Sequence, residues 1–244
     1  MDGSFWMAPS VLATILLAVV CCGCESTQEK SAALEKVAKH QTLALRGVSV
    51  GRENPSVRVI GSTVLHSGEA TAVVVTLRNT SARTLENAPI EITVRGAKGA
   101  VLFQNNQPGE APSLTKVSLL EPGAQTTWID DQVQVSEAPT SASALVGEAT
   151  PASGTIPEIA VSGVRAGGEA GAGAGATGTV SNRSGVTQQS LVVNAVARRG
   201  AKIVAAGRAI LPEVAPGAAL AFQVYFVGNA RGARIEASAP TSTF

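Results

Sequence analysis

The chain has 244 residues, of which 45% are apolar, 15% are charged and 3% are aromatic, and its net charge is +1. This balance predicts a folded chain rather than a disordered one, with a length that suits one large domain or two smaller ones. A near-neutral chain lacks the basic surface that nucleic-acid binding requires, so we expect no nucleic-acid partner. Because aromatic residues are scarce, the core must use small and β-branched side chains, which favours β-sandwiches.

The first apolar run, VLATILLAVV at residues 11–20, leads into the only three cysteines, Cys21, Cys22 and Cys24. A run of this length matches a signal-peptide core and is short for a bilayer span. Gly23 places a small residue immediately before Cys24, and the segment resembles the lipobox of bacterial lipoprotein signals, with Cys21, Cys22 and Gly23 as the positions before the acceptor. The resemblance implies that residues 1–24 are a signal peptide with lipobox and that Cys24 is acylated, for example by palmitate.

Two alternatives remain open for this amino-terminal segment. Residues 1–10 contain no Lys or Arg, whereas a signal peptide normally begins with basic residues. Residues 5–24 are just long enough to form an uncleaved membrane helix, and Cys22 is a second possible acceptor. Either arrangement anchors the chain to a bacterial membrane and places the rest outside the cytoplasm. With no later cysteine, the mature protein cannot form an internal disulfide.

Residues 25–47 follow as a predicted stalk that is partly helical. Apolar residues such as Leu34 and Val37 recur near helical spacing, and Glu35 precedes Lys39 by four positions, which favours a helix. The stalk would separate the membrane from the folded part of the chain.

From residue 48 onward the apolar residues alternate with polar ones, as Ile90, Ile92 and Val94 do. Short alternating segments between regularly spaced turns predict an antiparallel sandwich over residues 48–148. Its last strands are predicted at residues 114–120 and 125–129, with a possible further strand after Pro139. A small-residue linker, 149–155, is predicted to lead to a second sandwich over 156–244. The Gly- and Ala-rich run at 167–175 is predicted to be a flexible loop between two strands of that unit.

The two predicted units share a series of local sequence matches in the same order. The matched pairs are residues 76–81 with 179–184, 95–98 with 199–202, 122–123 with 216–217, and Trp128 with Phe222. Such a repeat predicts an all-β fold of two tandem immunoglobulin-like antiparallel β-sandwiches. The first matched pair includes Asn-x-Ser triplets at Asn79 and Asn182. These satisfy the glycosylation sequon, but their place after a strand favours turn-stabilising hydrogen bonds.

The second unit also resembles a known family of domains. Its strings GTVSNRS, RRGAKIVAAGRAIL, VAPG and LAFQVYF, within residues 156–241, resemble the FxLYD-type domains of bacterial secreted lipoproteins. The Phe-x-Leu-Tyr-Asp string itself is absent. The resemblance implies an extracytoplasmic module and adds no biochemical activity.

Candidate reactive residues are few. His40 and His66 are the only histidines and have no companion ligand nearby in the sequence, so we predict no metal site, no cofactor and no catalytic residue. Asp130 and Asp131 are predicted to form an exposed acidic turn where a strand leaves its sheet. Together with Tyr225, they are the candidate contact residues.

These features favour a non-catalytic, membrane-anchored extracytoplasmic module that binds a protein or a cell-envelope polymer such as a wall polymer. An envelope hydrolase that uses the acidic residues of the first unit is one alternative. A purely structural spacer is the other.

Overall fold

Antiparallel β-strands dominate the computed structural model, which describes residues 47–167 and 175–243. The predicted all-β class is therefore confirmed. The described residues belong to one compact unit that begins at residue 41. Below, residues 47–151 are called the first half and residues 159–243 the second half.

The first half contains eight strands in two sheets. They are β1 (Val57–Ser67), β2 (Ala70–Asn79), β3 (Leu85–Arg95), β4 (Val101–Gln104), β5 (Lys116–Leu120), β6 (Gln125–Val133), β7 (Ser141–Val146) and β8 (Thr150–Pro151). Sheet A has the order β1-β2-β6. Sheet B is built around β3, which pairs with β4, β5, β7 and β8. Because side chains alternate along a strand, each sheet turns one apolar row towards the other, and these rows form a shared core that includes Val75, Ile92 and Trp128.

The described residues of the second half form seven strands, again in two sheets. They are β9 (Ile159–Gly167), β10 (Gly175–Asn182), β11 (Gln188–Arg199), β12 (Lys202–Val214), β13 (Ala219–Tyr225), β14 (Val227–Gly228) and β15 (Arg234–Ser238). Sheet C has the order β9-β10-β13, and sheet D has the order β14-β12-β11-β15. Their facing apolar rows form a second core that includes Val180, Val193 and Phe222.

The two halves follow the same plan, strand by strand. In sheet A the central strand β2 pairs with β1, which precedes it, and with β6. In sheet C the central strand β10 pairs in the same way with β9 and with β13. Trp128 lies opposite Val75 in sheet A, and Phe222 lies opposite Gly178 in sheet C. Both aromatic side chains are buried, and each is the aromatic plug of its own core.

The Asn-x-Ser turns that follow β2 and β10 use matching hydrogen bonds. The Nδ2 atom of Asn79 donates to the carbonyl oxygens of Arg83 and Leu120, at 2.7 and 2.9 Å, and its Oδ1 accepts from the Ser81 N–H and hydroxyl.

In the second half, Asn182 Nδ2 donates to the carbonyl oxygens of Val186 and Val214, at 2.8 and 2.9 Å, and its Oδ1 accepts from Ser184. Both asparagines are buried, which confirms the predicted turn chemistry.

One stretch distinguishes the first half from the second. In the second half, β12 is one unbroken strand. At the corresponding place the first half has two strands, β4 and β5, which residues 105–115 separate. The side chain of Asn105 fills the gap beside β3: its Oδ1 accepts from the Ile92 N–H at 2.8 Å and its Nδ2 donates to the carbonyl of Ile90 at 3.0 Å. Buried backbone groups that lack a strand partner are thereby satisfied.

Some predicted boundaries are wrong. The strand predicted at 114–120 begins at Lys116, because Pro112–Thr115 forms a single helical turn with proline in its first turn. The strand predicted at 125–129 continues to Val133. Within the predicted linker 149–155, Thr150–Pro151 forms β8, which pairs with β3.

Other predictions concern parts of the chain that are not described. The signal peptide, Cys24 with its lipobox residues, the stalk up to residue 46 and His40 lie outside the described residues. So does the centre of the Gly- and Ala-rich run, residues 168–174, although its ends are the paired residues Gly167 and Gly175. Among the described residues, no helix has the length and apolarity needed to cross a membrane.

Candidate binding groove between the two halves

The two halves pack through the outer faces of sheets A and D. Val74 and Ile129 point away from the core of the first half and form a third apolar cluster with Val196, Ile203 and Ala206 of the second half. Burial on both faces explains why the sequence at residues 72–75 is an unbroken apolar run instead of an alternating one. The halves are therefore joined by a packed interface.

A buried ion pair crosses this interface. Arg208 on β12 donates from Nε to Asp131 Oδ1 at 2.9 Å, and its backbone N–H donates to Asp131 Oδ2 at 3.0 Å. Its Nη1 also donates to the hydroxyl of Ser113 at 3.1 Å. The side chains of Arg208 and Asp131 are only 2% and 18% exposed. Because the paired charges have little contact with solvent, removal of either partner would leave the other buried and uncompensated.

Asp130 lies beside this ion pair and is itself buried, with 1% of its surface exposed. Burial raises the pKa of Asp130 from 3.8 to about 6, and the nearby carboxylates of Asp131 and Glu110 act in the same direction. The N–H of Gln132, which donates to Asp130 Oδ1 at 2.9 Å, and the charge of Arg208 lower it.

The exposed acidic turn predicted at Asp130 and Asp131 is thus wrong. The register of β6 on β2 shifts between Asp130 and Val133, but the strand continues, and the second half covers this stretch. Asp130 cannot act as a surface contact, and Asp131 is engaged by Arg208 within the chain. Adjacent acidic residues after an apolar stretch are typical of a strand end, which is why the sequence pattern was misleading.

A groove of about 340 Å³ opens beside the interface and is lined by both halves. Its size falls at the lower end of the range of small-ligand sites. Nine lining residues carry a hydroxyl or amide: Asn87, Ser113, Ser118, Thr126 and Thr127 from the first half, and Gln189, Ser190, Asn194 and Ser242 from the second. Of the described residues that line it, Lys116 alone has a charged side chain. The remaining lining residues are apolar, including Trp128, Val192 and Ile210.

Two strained residues occupy matching places on the groove. Asn87 in β3 has φ 53° and Ser190 in β11 has φ 50°, a left-handed conformation that residues other than glycine rarely adopt. Neither residue changes the register of its strand, because the pairing of β3 with β5 and of β11 with β12 keeps the same offset on both sides of it. Strained residues of this kind are common beside functional sites. Here the shared plan of the halves brings both residues to one groove.

Buried polar atoms without a hydrogen-bond partner collect in the same region. Among the described residues they are Asp130 Oδ2, Asn194 Oδ1 and Arg208 Nη2. Asn194 and Arg208 lie directly opposite each other on β11 and β12. Unsatisfied buried groups are uncommon in proteins and call for an explanation such as a ligand.

No family model matches the chain, and a search of curated proteins gives no match. The groove must therefore be interpreted from its own geometry.

The other predicted residues lie away from the groove lining. Tyr225 is 53% exposed at the end of β13, in agreement with its predicted exposure. His66 is exposed on β1, where its Nδ1 lies 2.8 Å from the hydroxyl of Thr71. Within residues 47–167 and 175–243, no three His, Cys, Asp or Glu side chains are grouped closely enough to hold a metal ion.

Sequence reasoning missed Asn194, Ser190 and Arg208. One signal was present for Arg208, which interrupts the apolar sequence AAGRAIL in the middle of a strand and therefore required a buried partner. Neither Asn194 nor Ser190 carries a local signal, because each is singled out by its place on a groove that residues of both halves line.

Proposed function

We propose that this chain is a non-catalytic binding module, held at the outer face of a bacterial membrane by a lipid on Cys24, and that its ligand occupies the groove between the two halves. The groove carries the proposal, since it combines a suitable size, convergent polar groups and strained residues. Its partner would be a protein or a polymer of the cell envelope.

The architecture that we propose is a tandem pair of immunoglobulin-like sandwiches of the FxLYD type. Support comes from the matching order of sheets A and C, the matching Asn-x-Ser turns and the matching aromatic plugs. Export and lipid attachment rest on the apolar run and on Gly23-Cys24 in the sequence. Both remain proposals.

The hydrolase alternative receives no support from its two acidic residues. A general acid or base must reach the proton that it transfers, whereas Asp130 is buried and both oxygens of Asp131 accept hydrogen bonds from Arg208. A spacer function would need neither the groove nor the unsatisfied Asn194. We therefore carry forward only the binding module.

A matched pair of variants tests the proposal. Ile210 lines the groove and Val101 lies on β4 outside it, and both are exposed apolar strand residues, at 45% and 50%. Ile210→Glu places a charge in the groove, whereas Val101→Glu makes the same change elsewhere. In intact cells, cross-linking should capture a partner with the wild type and with Val101→Glu but not with Ile210→Glu. Equal capture by the two variants, or no capture by the wild type, would contradict the proposal.

A further inference from the structure

We infer that a basic cluster at one end of the second half docks on the anionic phospholipid headgroups of the membrane that holds the chain, and this inference rests on the membrane anchoring in the proposed function. The cluster is called the basic tip, and its members are Arg198, Arg199, Lys202, Arg231 and Arg234. Docking through the basic tip would fix how the groove faces the membrane.

The two halves carry opposite net charge. By sequence, residues 47–151 have ten acidic and seven basic side chains, whereas residues 159–243 have three acidic and eight basic ones. Five of those eight basic side chains belong to the basic tip. The two segments that form it, residues 198–202 and 229–236, contain a single acid, Glu236. Such a charge asymmetry within one chain favours a polyanionic surface as partner.

Strand pairing and hydrogen bonds bring the two segments of the basic tip together. Arg198 lies opposite Arg234 in the pairing of β11 with β15. The guanidinium of Arg199 donates from Nη2 to the carbonyl oxygens of Arg231 and Asn229, at 2.7 and 3.1 Å, and so holds the loop before β15 against the β11–β12 hairpin. Because both acceptors are neutral, they leave the positive charge of Arg199 uncompensated.

Little of the positive charge at the basic tip is offset within the fold. Glu236 contacts Arg198 and Arg234, at 3.3 and 3.5 Å, and offsets one charge. The other three members are exposed and form no ion pair with any residue that the structure describes. Two of them, Arg199 and Lys202, lie directly opposite each other at the end of the hairpin. Like charges in this position repel, and an anionic surface relieves that repulsion.

The proposed tether favours lipid over other polyanions. Only 22 residues separate Cys24 from Gly47, so a lipid on Cys24 would keep Gly47 within about 80 Å of the membrane surface. A location outside the cytoplasm would separate the basic tip from nucleic acid. Each Lys or Arg close to an anionic membrane strengthens binding about fivefold. A tethered module needs only a few such charges, because the tether holds the membrane at high effective concentration.

Docking through the basic tip would direct the groove away from the lipid. Ser190, near the start of β11, lines the groove, whereas Arg199 is the last residue of β11. The length of strand between them is about 30 Å. A groove at this height would be open to a protein or polymer of the cell envelope, as the proposed function requires.

Chemical footprinting of the full-length protein tests the inference. The protein is reconstituted into vesicles of phosphatidylcholine alone, or of phosphatidylcholine and phosphatidylglycerol in equal parts, and treated with a water-soluble acetylating reagent before mass spectrometry. Lys202 should react at least fivefold more slowly on the phosphatidylglycerol vesicles, and high salt should restore its rate. Lys98 is exposed and matches Lys202 in the sequence repeat, so it is the internal control and should react equally on both kinds of vesicle.

A matched pair of double variants separates the basic tip from exposed charge in general. Arg231→Gln with Arg234→Gln removes two charges from the basic tip and leaves Lys202 as the probe. Because each charge contributes about fivefold to membrane affinity, the protection of Lys202 should be lost. Arg58→Gln with Arg78→Gln removes two exposed arginines that lie opposite each other on β1 and β2, and should leave the protection unchanged.

Each contrary result has a defined meaning. Equal rates for Lys202 on the two kinds of vesicle, equal slowing of Lys98, or protection that survives high salt overturns the docking inference. Protection of Lys202 by soluble poly(glycerol phosphate) but not by vesicles also overturns it and identifies an anionic polymer as the partner. If the variant of the basic tip does not fold, the salt-sensitive contrast between Lys202 and Lys98 in the wild type decides.

Failure of the docking inference is distinguishable from failure of the proposed function. If Lys202 is not protected but Ile210→Glu still abolishes partner capture in cells, the proposed function stands and only the docking is wrong. A protein that does not float with either kind of vesicle contradicts the lipid anchor, and with it both the docking and the proposed membrane attachment.

Discussion

Replacing Asp130 with asparagine should stabilise the protein at neutral pH but not at pH 4. In the folded chain the pKa of Asp130 is raised to about 6, mainly by burial, from its ordinary value of 3.8. Between these values the folded state binds more protons than the unfolded state, so the free energy of unfolding falls as pH rises through this window. Below pH 3.8 the carboxyl is neutral in both states and its burial carries no charge penalty.

The size of the effect follows from the two pKa values. A difference of about two units at 1.36 kcal/mol each amounts to about 3 kcal/mol at pH 7. Asparagine can keep the acceptor for the Gln132 N–H, which lies 2.9 Å from Asp130 Oδ1, and it cannot ionise. Above pH 6, Asp130→Asn should therefore restore most of the stability that the wild type loses by burying the ionised carboxylate.

Urea unfolding at pH 4, 5, 6, 7 and 8, followed by the fluorescence of the buried Trp128, measures the effect. The difference in free energy of unfolding between the wild type and the variant should change by about 2.5 kcal/mol between pH 4 and pH 7, because the unfolded carboxyl is already partly ionised at pH 4. Glu121→Gln, at an exposed turn residue, is the control and should leave the wild-type pH dependence unchanged. A difference that stays constant with pH, or a variant that is less stable at pH 7, would refute the burial of an ionisable Asp130.

Three further predictions concern the interface, the turns and the anchor. Arg208→Met should lower the free energy of unfolding, measured by urea titration, by about 3 kcal/mol. Adding Asp131→Leu should restore much of the lost stability, because an unpaired buried charge costs more than an apolar pair. Asn79→Ala and Asn182→Ala should each lower the free energy of unfolding by about 3 kcal/mol, because each leaves carbonyl groups unsatisfied, and unequal losses would contradict the equivalence of the turns. Cys24→Ser should abolish partition into detergent, and retention would favour an uncleaved helix or acylation at Cys22.

The fold class was predictable because its causes are local. Alternation in residues such as Ile90, Ile92 and Val94 depends only on the pleat of a strand, and all three are buried. The turns at Asn79 and Asn182 were also predictable, since part of their bonding is local: the Oδ1 of each accepts from the N–H of the serine two residues later. Local chemistry left a clear sequence pattern in both cases.

The groove was not predictable because its causes are long-range. Asp131 and Arg208 are separated by 77 positions, and no periodic pattern links them. The unbroken apolar run at residues 72–75 did carry a signal, because a strand that is apolar on both faces must have other parts of the protein packed against both faces. Reading that run as a doubly covered strand would have predicted a packed interface, although not the partner surface.

The buried Asn-x-Ser turns have a practical consequence for production of the protein. In a eukaryotic secretory host, the transferase that recognises Asn-x-Ser attaches a glycan to Nδ2 of asparagine. That atom of Asn79 donates two hydrogen bonds, to Arg83 and Leu120, and the side chain is fully buried. A sugar there would remove one of the two protons and would need space that the folded core does not have. Secretion from such a host would therefore trap the chain unfolded, and a bacterial host avoids the problem.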